Sequence, residues 1–316
     1  MQRVTVAALA SPPANGIHLG PLFVHAYGVL YIVGLVAAML LTRRLWAQRG
    51  GDRALVDDVV LWAFPAGLLG GRLYFLATSW NEVPAHWWGP VAVWDGGLGI
   101  WGGVALGTIV GVWRLRRAGV AVGAFMDVAA PGLLVAQAIG RIGNYFNQEL
   151  FGGPSSLPWA LQIDPAHRPA GYEHVATFQP TFLYELLFDL VLAGVLLVLL
   201  RRGRLKPPGI FALYVAGYAG FRLFEERLRI DPAHHILGLR LNFFVAAVVC
   251  LAGLLWFAWT QRSVRSARRG AALLTAGVVA ASLGACGHGD ADAASAAVPP
   301  TGASAAAITP PVVAVR

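Results

Sequence analysis

The chain has 316 residues, of which 57% are hydrophobic and only 13% charged. An ordinary soluble domain is about 25% charged, so the composition points away from a water-soluble globule and toward a chain that lives in a membrane. The formal charge of +8 raises nucleic acid as a partner, but the positives sit in short clusters between apolar runs, and no nucleic-acid partner is expected. Two cysteines, Cys250 and Cys286, make neither a disulfide framework nor a metal motif; no metal and no cofactor are expected.

Apolar runs of about 17–20 residues recur, each long enough to cross a hydrocarbon core of about 30 Å. They predict an all-α, polytopic membrane protein with seven transmembrane helices, near Phe23–Leu41, Val59–Leu76, Leu98–Trp113, Phe125–Arg141, Phe182–Leu200, Ile210–Phe224 and Leu241–Thr260. The loops near 42–55, 114–119, 201–206 and 261–269 hold fifteen of the 24 Lys and Arg residues, and the alternate loop near 77–96 holds none. The positive-inside rule then puts the N-terminus outside and residues 261–269 in the cytoplasm.

The third span carries Gly99, Gly103, Gly107 and Gly111 at four-residue spacing. Such a face lets a neighbouring helix approach closely, which is how membrane helices gain packing energy. The same stretch contains a dinucleotide-type pattern, Gly97-Leu98-Gly99-Ile100-Trp101-Gly102, but it has no strand–helix setting and lies in an apolar segment. Residues 145–180 form the longest outside segment, with a short strand expected at Trp159–Ile163, so a small external cap is predicted.

With orientation assigned, ionisable groups within the spans become informative. An Arg at mid-membrane costs about 2.5–3.5 kcal/mol on translocon scales, so such groups face a polar cavity or a ligand. Arg72, Arg141 and Arg222 all lie late in spans that run outward, and Tyr27 and Trp101 lie early in spans that run inward. Arg222 is about 18 Å along its helix from Ile210, at 1.5 Å per residue. Snorkelling arginines and an aromatic belt are the plain explanation for any one of these residues. Three arginines at one level, against the charge rule, favour a site, and guanidinium forks match phosphate oxygens. The residues alone indicate a grip on an anionic phospholipid headgroup and leave transport, binding and reaction open.

Around Arg141 the chain reads Gly140-Arg141-Ile142-Gly143-Asn144-Tyr145-Phe146-Asn147-Gln148-Glu149-Leu150-Phe151-Gly152. This resembles the G-R-x-G-N-[FY]-x-N-x-E-x-x-G signature of prolipoprotein diacylglyceryl transferases. Other pieces agree in order: His25–Gly28, Gly70-Gly71-Arg72, Trp94–Leu98, Pro180–Glu185, and Gly217-Tyr218 with Arg222 and Glu226. The resemblance covers about residues 15–260. It implies transfer of the diacylglyceryl group of phosphatidylglycerol to the lipobox cysteine thiol of a preprolipoprotein signal peptide, releasing glycerol 1-phosphate. It further implies that Arg141, with Arg72, binds the phosphate and that Arg222 neutralises it or assists the thiolate. Tyr27, Asn144, Glu149 and Tyr218 would orient the headgroup or share in proton transfer, and Glu226, one turn from Arg222, would hold it. Helix capping by Asn144 and Glu149, and a belt role for Tyr27, Tyr184 and Tyr218, are the alternatives. Many family members carry His-Gly-Gly early in the third span; here Trp101-Gly102-Gly103 stands, a form resembling actinobacterial members. Trp cannot take a proton, so a fixed His base is in doubt. A non-catalytic phospholipid-binding or transport protein is the competing reading.

The C-terminus adds one more element. Arg268-Arg269 precedes a 15-residue apolar run, Ala271–Ala285, that ends Leu283-Gly284-Ala285-Cys286. A basic region, an apolar stretch of about 7–15 residues and small residues at its end make a signal peptide, and this ending resembles a lipobox. The expected division is a transferase domain over 1–262, a signal-peptide-like segment over 263–286 with Cys286 as a self-modification site, and a disordered Ala/Pro-rich tail over 287–316. An eighth span is the alternative for the apolar run.

Overall fold

The computed structural model describes residues 9–20 and 22–262; the apolar run Ala271–Ala285 and Cys286 lie outside the described residues. Among those described, seven helices follow one another: α1 (Ala26–Ala47), α2 (Arg53–Thr78), α3 (Ile100–Arg117), α4 (Val122–Asn147), α5 (Thr181–Arg202), α6 (Gly209–Leu228) and α7 (Leu241–Arg262). Each overlaps one expected span. Five of them, α1, α2, α4, α5 and α7, are long and apolar enough to cross a membrane. The other two are shorter and crowd their charge: α3 ends on Arg114, Arg116 and Arg117, and α6 holds Arg222, Glu225, Glu226 and Arg227 close together.

Helix α2 packs on α3, α1 on α4, and α4 on α5. The glycine ladder of α3 is the α2 contact. A Cβ at Gly103 would stand 3.2 Å from the Gly67 carbonyl, and one at Gly107 would stand 3.2 Å from that of Ala63. Glycine is needed there because backbone meets backbone, and dispersion over a long seam replaces the hydrophobic drive that lipid cannot supply. The largest apolar cluster gathers Trp46, Val56, Leu115, Phe125, Leu134, Leu196 and Ile210 from the first six helices. At that end Asp127 of α4 accepts from the backbone N–H of Phe211 at 2.8 Å, placing a carboxylate at the electropositive start of α6. The basic loops meet there too: Nη2 of Arg49 donates to the Leu200 carbonyl at 2.9 Å, and Gln261 exchanges hydrogen bonds with the Lys206 backbone.

Three short hairpins decorate the opposite end: β1 (Gly16–Leu19) with β2 (Leu22–His25), β3 (Leu161–Gln162) with β4 (Thr177–Phe178), and β5 (His235–Ile236) with β6 (Leu239–Arg240). The expected strand at Trp159–Ile163 is β3, two residues long, paired Leu161 to Phe178. Around it Phe151, Leu161, Ile163, Phe178 and Phe182 form a second apolar core. This segment is tied to the helix ends. Gln148 closes α4 in the left-handed conformation and exchanges hydrogen bonds with Asp164, while Gly153 N–H donates to the Leu228 carbonyl at 3.0 Å.

Candidate functional site

The late part of α4, the start of α5 and the late part of α6 lie side by side, because successive helices run in alternate directions. That arrangement brings Arg141, Glu185, Tyr218 and Arg222 together. Nη2 of Arg141 donates to Oε1 of Glu185 at 2.5 Å, and the Tyr218 hydroxyl donates to the same oxygen at 2.8 Å. Nη1 of Arg222 reaches the other oxygen, Oε2, at 3.3 Å. Arg222 also pairs with Glu225 and Glu226, at i+3 and i+4 on its own helix. The second oxygen of Glu226 accepts from Nε of Arg240 at 2.7 Å, and Arg240 in turn binds Asp231, which Arg229 grips from the other side. Asp231 lies outside the helices; burial alone would raise its pKa, but the hydrogen bonds and charges of Arg229 and Arg240 outweigh it and hold the carboxyl below its ordinary value.

A second chain of contacts leads from Arg141 along the signature. Its Nη1 donates to Oδ1 of Asn144 at 3.3 Å, and the Asn144 amide donates to Oε1 of Glu149 at 2.8 Å, where Asn147 joins at 3.2 Å. The Asn144 and Glu149 side chains therefore bind one another rather than only closing the helix end. Tyr27, at the start of α1, lays its ring on Gly143: a Cβ there would stand 2.3 Å from Cδ2 of the ring. The motif glycine thus makes room for the motif tyrosine one turn from Asn147.

Arg72 stands apart. Its guanidinium is fully enclosed by backbone carbonyls, with Nε on Pro90 at 2.9 Å, Nη1 on Gly96 and Gly97 at 2.7 and 2.9 Å, and Nη2 on Gly89. Four of five donors are occupied, so the expectation that Arg72 joins the phosphate grip is not met in this geometry. Its length and planar fork fasten the 79–99 loop instead. Trp101, in the first turn of α3, is more than half exposed. Three acids to which the sequence reading gave no role, Glu185, Glu225 and Asp189, are fully buried in apolar helices. The cost argument applied to the arginines would have flagged them equally. Among the described residues no group of three or more His, Cys, Asp or Glu side chains is placed to hold a metal ion.

The fold and site thus define a helical, multi-pass membrane protein with two arginines joined through one buried carboxylate at one end of the bundle. Residues 15–259 match the family of prolipoprotein diacylglyceryl transferases, and the chain belongs to that family. It is 49% identical over 256 residues to phosphatidylglycerol–prolipoprotein diacylglyceryl transferase 2 of Streptomyces coelicolor, covering 78% of this chain and 80% of that one. It is 47% identical to the Frankia alni enzyme of the same activity name, covering 82% of this chain and 69% of the relative. With the Mycolicibacterium paratuberculosis relative the identity is again 47%, over 79% of this chain and 62% of that longer protein. The actinobacterial likeness agrees with these relatives.

Proposed function

We propose that this chain transfers the diacylglyceryl group of phosphatidylglycerol to the lipobox cysteine of preprolipoproteins, forming a thioether and releasing glycerol 1-phosphate. The carrying observation is that Arg141 and Arg222, from two helices, converge on one carboxylate at the same end of the bundle. A phosphate entering there meets two guanidinium groups held close together by one carboxylate, and their charge stabilises the departing phosphate ester. Asn144 and Glu149 fix Arg141 in place, Glu226 fixes Arg222, and Tyr27 and Tyr218 border the headgroup. Arg72 positions the 79–99 loop.

In this reading all seven helices cross the bacterial cytoplasmic membrane, the N-terminus and the 148–180 cap lie outside, and residues 1–262 are the transferase domain. The charged faces of α3 and α6 are compatible with crossing, because their charges sit at a helix end or within the site. Residues 263–286 are a signal-peptide-like segment and 287–316 a tail, with Cys286 as a further acceptor thiol.

Complementation of a strain depleted of its own transferase, with mass spectrometry of a reporter lipoprotein, tests this. A diacylglyceryl thioether on the reporter cysteine is the expected result. An unmodified reporter, in membranes where the protein accumulates and retains phosphatidylglycerol, would favour a non-catalytic lipid binder.

A further inference from the structure

The transfer needs a proton acceptor. A free thiol has a pKa of about 8.5, and Trp101 cannot take its proton. Glu185 is where the two arginines meet: Oε1 accepts from Arg141 and Tyr218, and Oε2 from Arg222. Its side chain is fully buried. From α4 it faces Arg141; from α6 it faces Tyr218, Arg222 and Glu225; on its own helix Asp189 lies one turn away. Within the cluster Arg141, Arg222 and Arg240 stand against Glu185, Glu225 and Glu226, and the Glu185 and Glu225 carboxyl groups lie side by side.

A phosphodiester brings one more negative charge and competes for the N–H donors that Glu185 now uses. Guanidinium forks favour phosphate oxygens in this contest, since two parallel bonds replace one. A buried carboxylate deprived of its cations is then far better off with a proton than without one. The other acids are placed differently. Glu226 keeps Arg240 when Arg222 turns to the phosphate, Glu225 touches only Arg222 of the two phosphate arginines, and neither oxygen of Asp189 has a hydrogen-bond partner. Only Glu185 loses both counter-charges when phosphate binds.

Resting on the transferase reading above, we propose that Glu185 takes the thiol proton, and that phosphatidylglycerol frees it for this by drawing Arg141 and Arg222 onto its phosphate. The S–H proton passes to a Glu185 oxygen, and the sulfur electron pair forms the S–C bond at the diacylglycerol carbon that bears the phosphate. The C–O bond of that carbon breaks, leaving its electron pair on the phosphate oxygen beside Arg141. Glu185 then hands its proton to that oxygen, which completes glycerol 1-phosphate and returns the carboxylate to its arginines. The lipid thus switches on the base that activates the attacking thiol, and thiols are left untouched until lipid is bound.

Glu185→Gln keeps the shape and a carbonyl acceptor but removes the basic oxygen. With purified protein, phosphatidylglycerol micelles and a lipobox peptide, kcat at pH 7 should fall by about 10²–10⁴-fold while KM for the lipid stays level or drops. The remaining rate should climb as pH approaches the ionisation of the thiol. A selenocysteine peptide, whose selenol is ionised at neutral pH, should recover most of the lost rate in the variant and gain little with wild type. A raised KM at unchanged kcat, or a selenol peptide no better than the thiol in the variant, overturns the proposal. If Glu185→Gln does not accumulate, Glu185→Asp serves: the shortened carboxylate should lower kcat and the selenol peptide should recover the lost rate, and a loss that selenium fails to relieve is the contrary result. Wild type inactive on both peptides would instead defeat the transferase reading.

Discussion

A Cβ on Gly70 of α2 would stand 2.3 Å from the carbonyl oxygen of Gly102 in α3, and one on Gly102 would stand 2.2 Å from that of Gly70. The two backbones touch, and neither residue admits a side chain. This seam carries the 79–99 loop between its two helices, so it also sets where Arg72 meets the loop carbonyls. Gly70→Ala is therefore expected to cost about 1–3 kcal/mol through overpacking. The measurement is thermal unfolding in detergent with Gly194→Ala beside it, since nothing stands within 4 Å of a Cβ at Gly194. Equal midpoints for the two variants would contradict the close approach.

Arg141 bridges two networks, donating to Glu185 through Nη2 and to Asn144 through Nη1. Lysine keeps the charge but presents one compact ammonium on a flexible stem and cannot span both. Arg141→Lys should insert and accumulate normally yet lose transferase activity by about a hundredfold, the scale of deleting one preorganised donor at a developing anion. Rates of reporter modification, normalised to protein in the membrane, decide it. Turnover near wild type would show that charge at this position suffices.

Asp231 predicts a dependence on pH. Its carboxyl is held below its ordinary value by Arg229 and Arg240 despite partial burial, so the ionised form is favoured by folding. Stabilisation of this sign is fully present above the unfolded value of about 3.9 and is lost as pH falls through the lower folded value. Wild type should thus unfold at a higher temperature than Asp231→Asn by a constant margin from pH 5 to 8, and the margin should close only in stronger acid. Because Arg240 also binds Glu226, the variant should lose activity as well as stability. A margin that already closes near pH 6 would mean that another group is responsible.

The seven helices were legible because apolar period and length carry them, and α3 and α6 were found by the same reading although their charge separates them from the other five. Arg141 with Arg222 was legible as charge against the positive-inside pattern. Arg72 shared that signal, but a guanidinium buried among carbonyls and one paired with carboxylates incur the same cost in sequence. Only the fold of the 79–99 loop tells them apart. Glu185 was hidden for a different reason: its partners lie 44 and 37 residues away in the chain, on helices whose rotation sequence period alone does not fix. The α2–α3 seam was read from one side, as a ladder on α3, while the answering Gly67 and Gly70 became visible only in the packed pair.

The C-terminal cysteine gives the last prediction. Arg262 ends α7 at the end of the bundle where Gln261 meets the loop at Lys206, the end proposed above to face the cytoplasm. From there the sequence continues with Arg265, Arg268 and Arg269, then fifteen apolar residues, then Leu283-Gly284-Ala285-Cys286. That order is the order of a signal peptide, and such a segment inserts with its basic end inside and its small residues outside. Cys286 would then be delivered to the face where Arg141 and Arg222 are proposed to act, on a chain that is itself the transferase. Mass spectrometry of the C-terminal peptide from active membranes should find diacylglyceryl on Cys286. The adduct should vanish in Arg141→Ala and return when active enzyme is supplied in trans, which separates self-modification from a stray lipid adduct. An unmodified Cys286 on full-length chains, in membranes that modify the reporter, would show that this segment is an apolar span or tail and not a substrate.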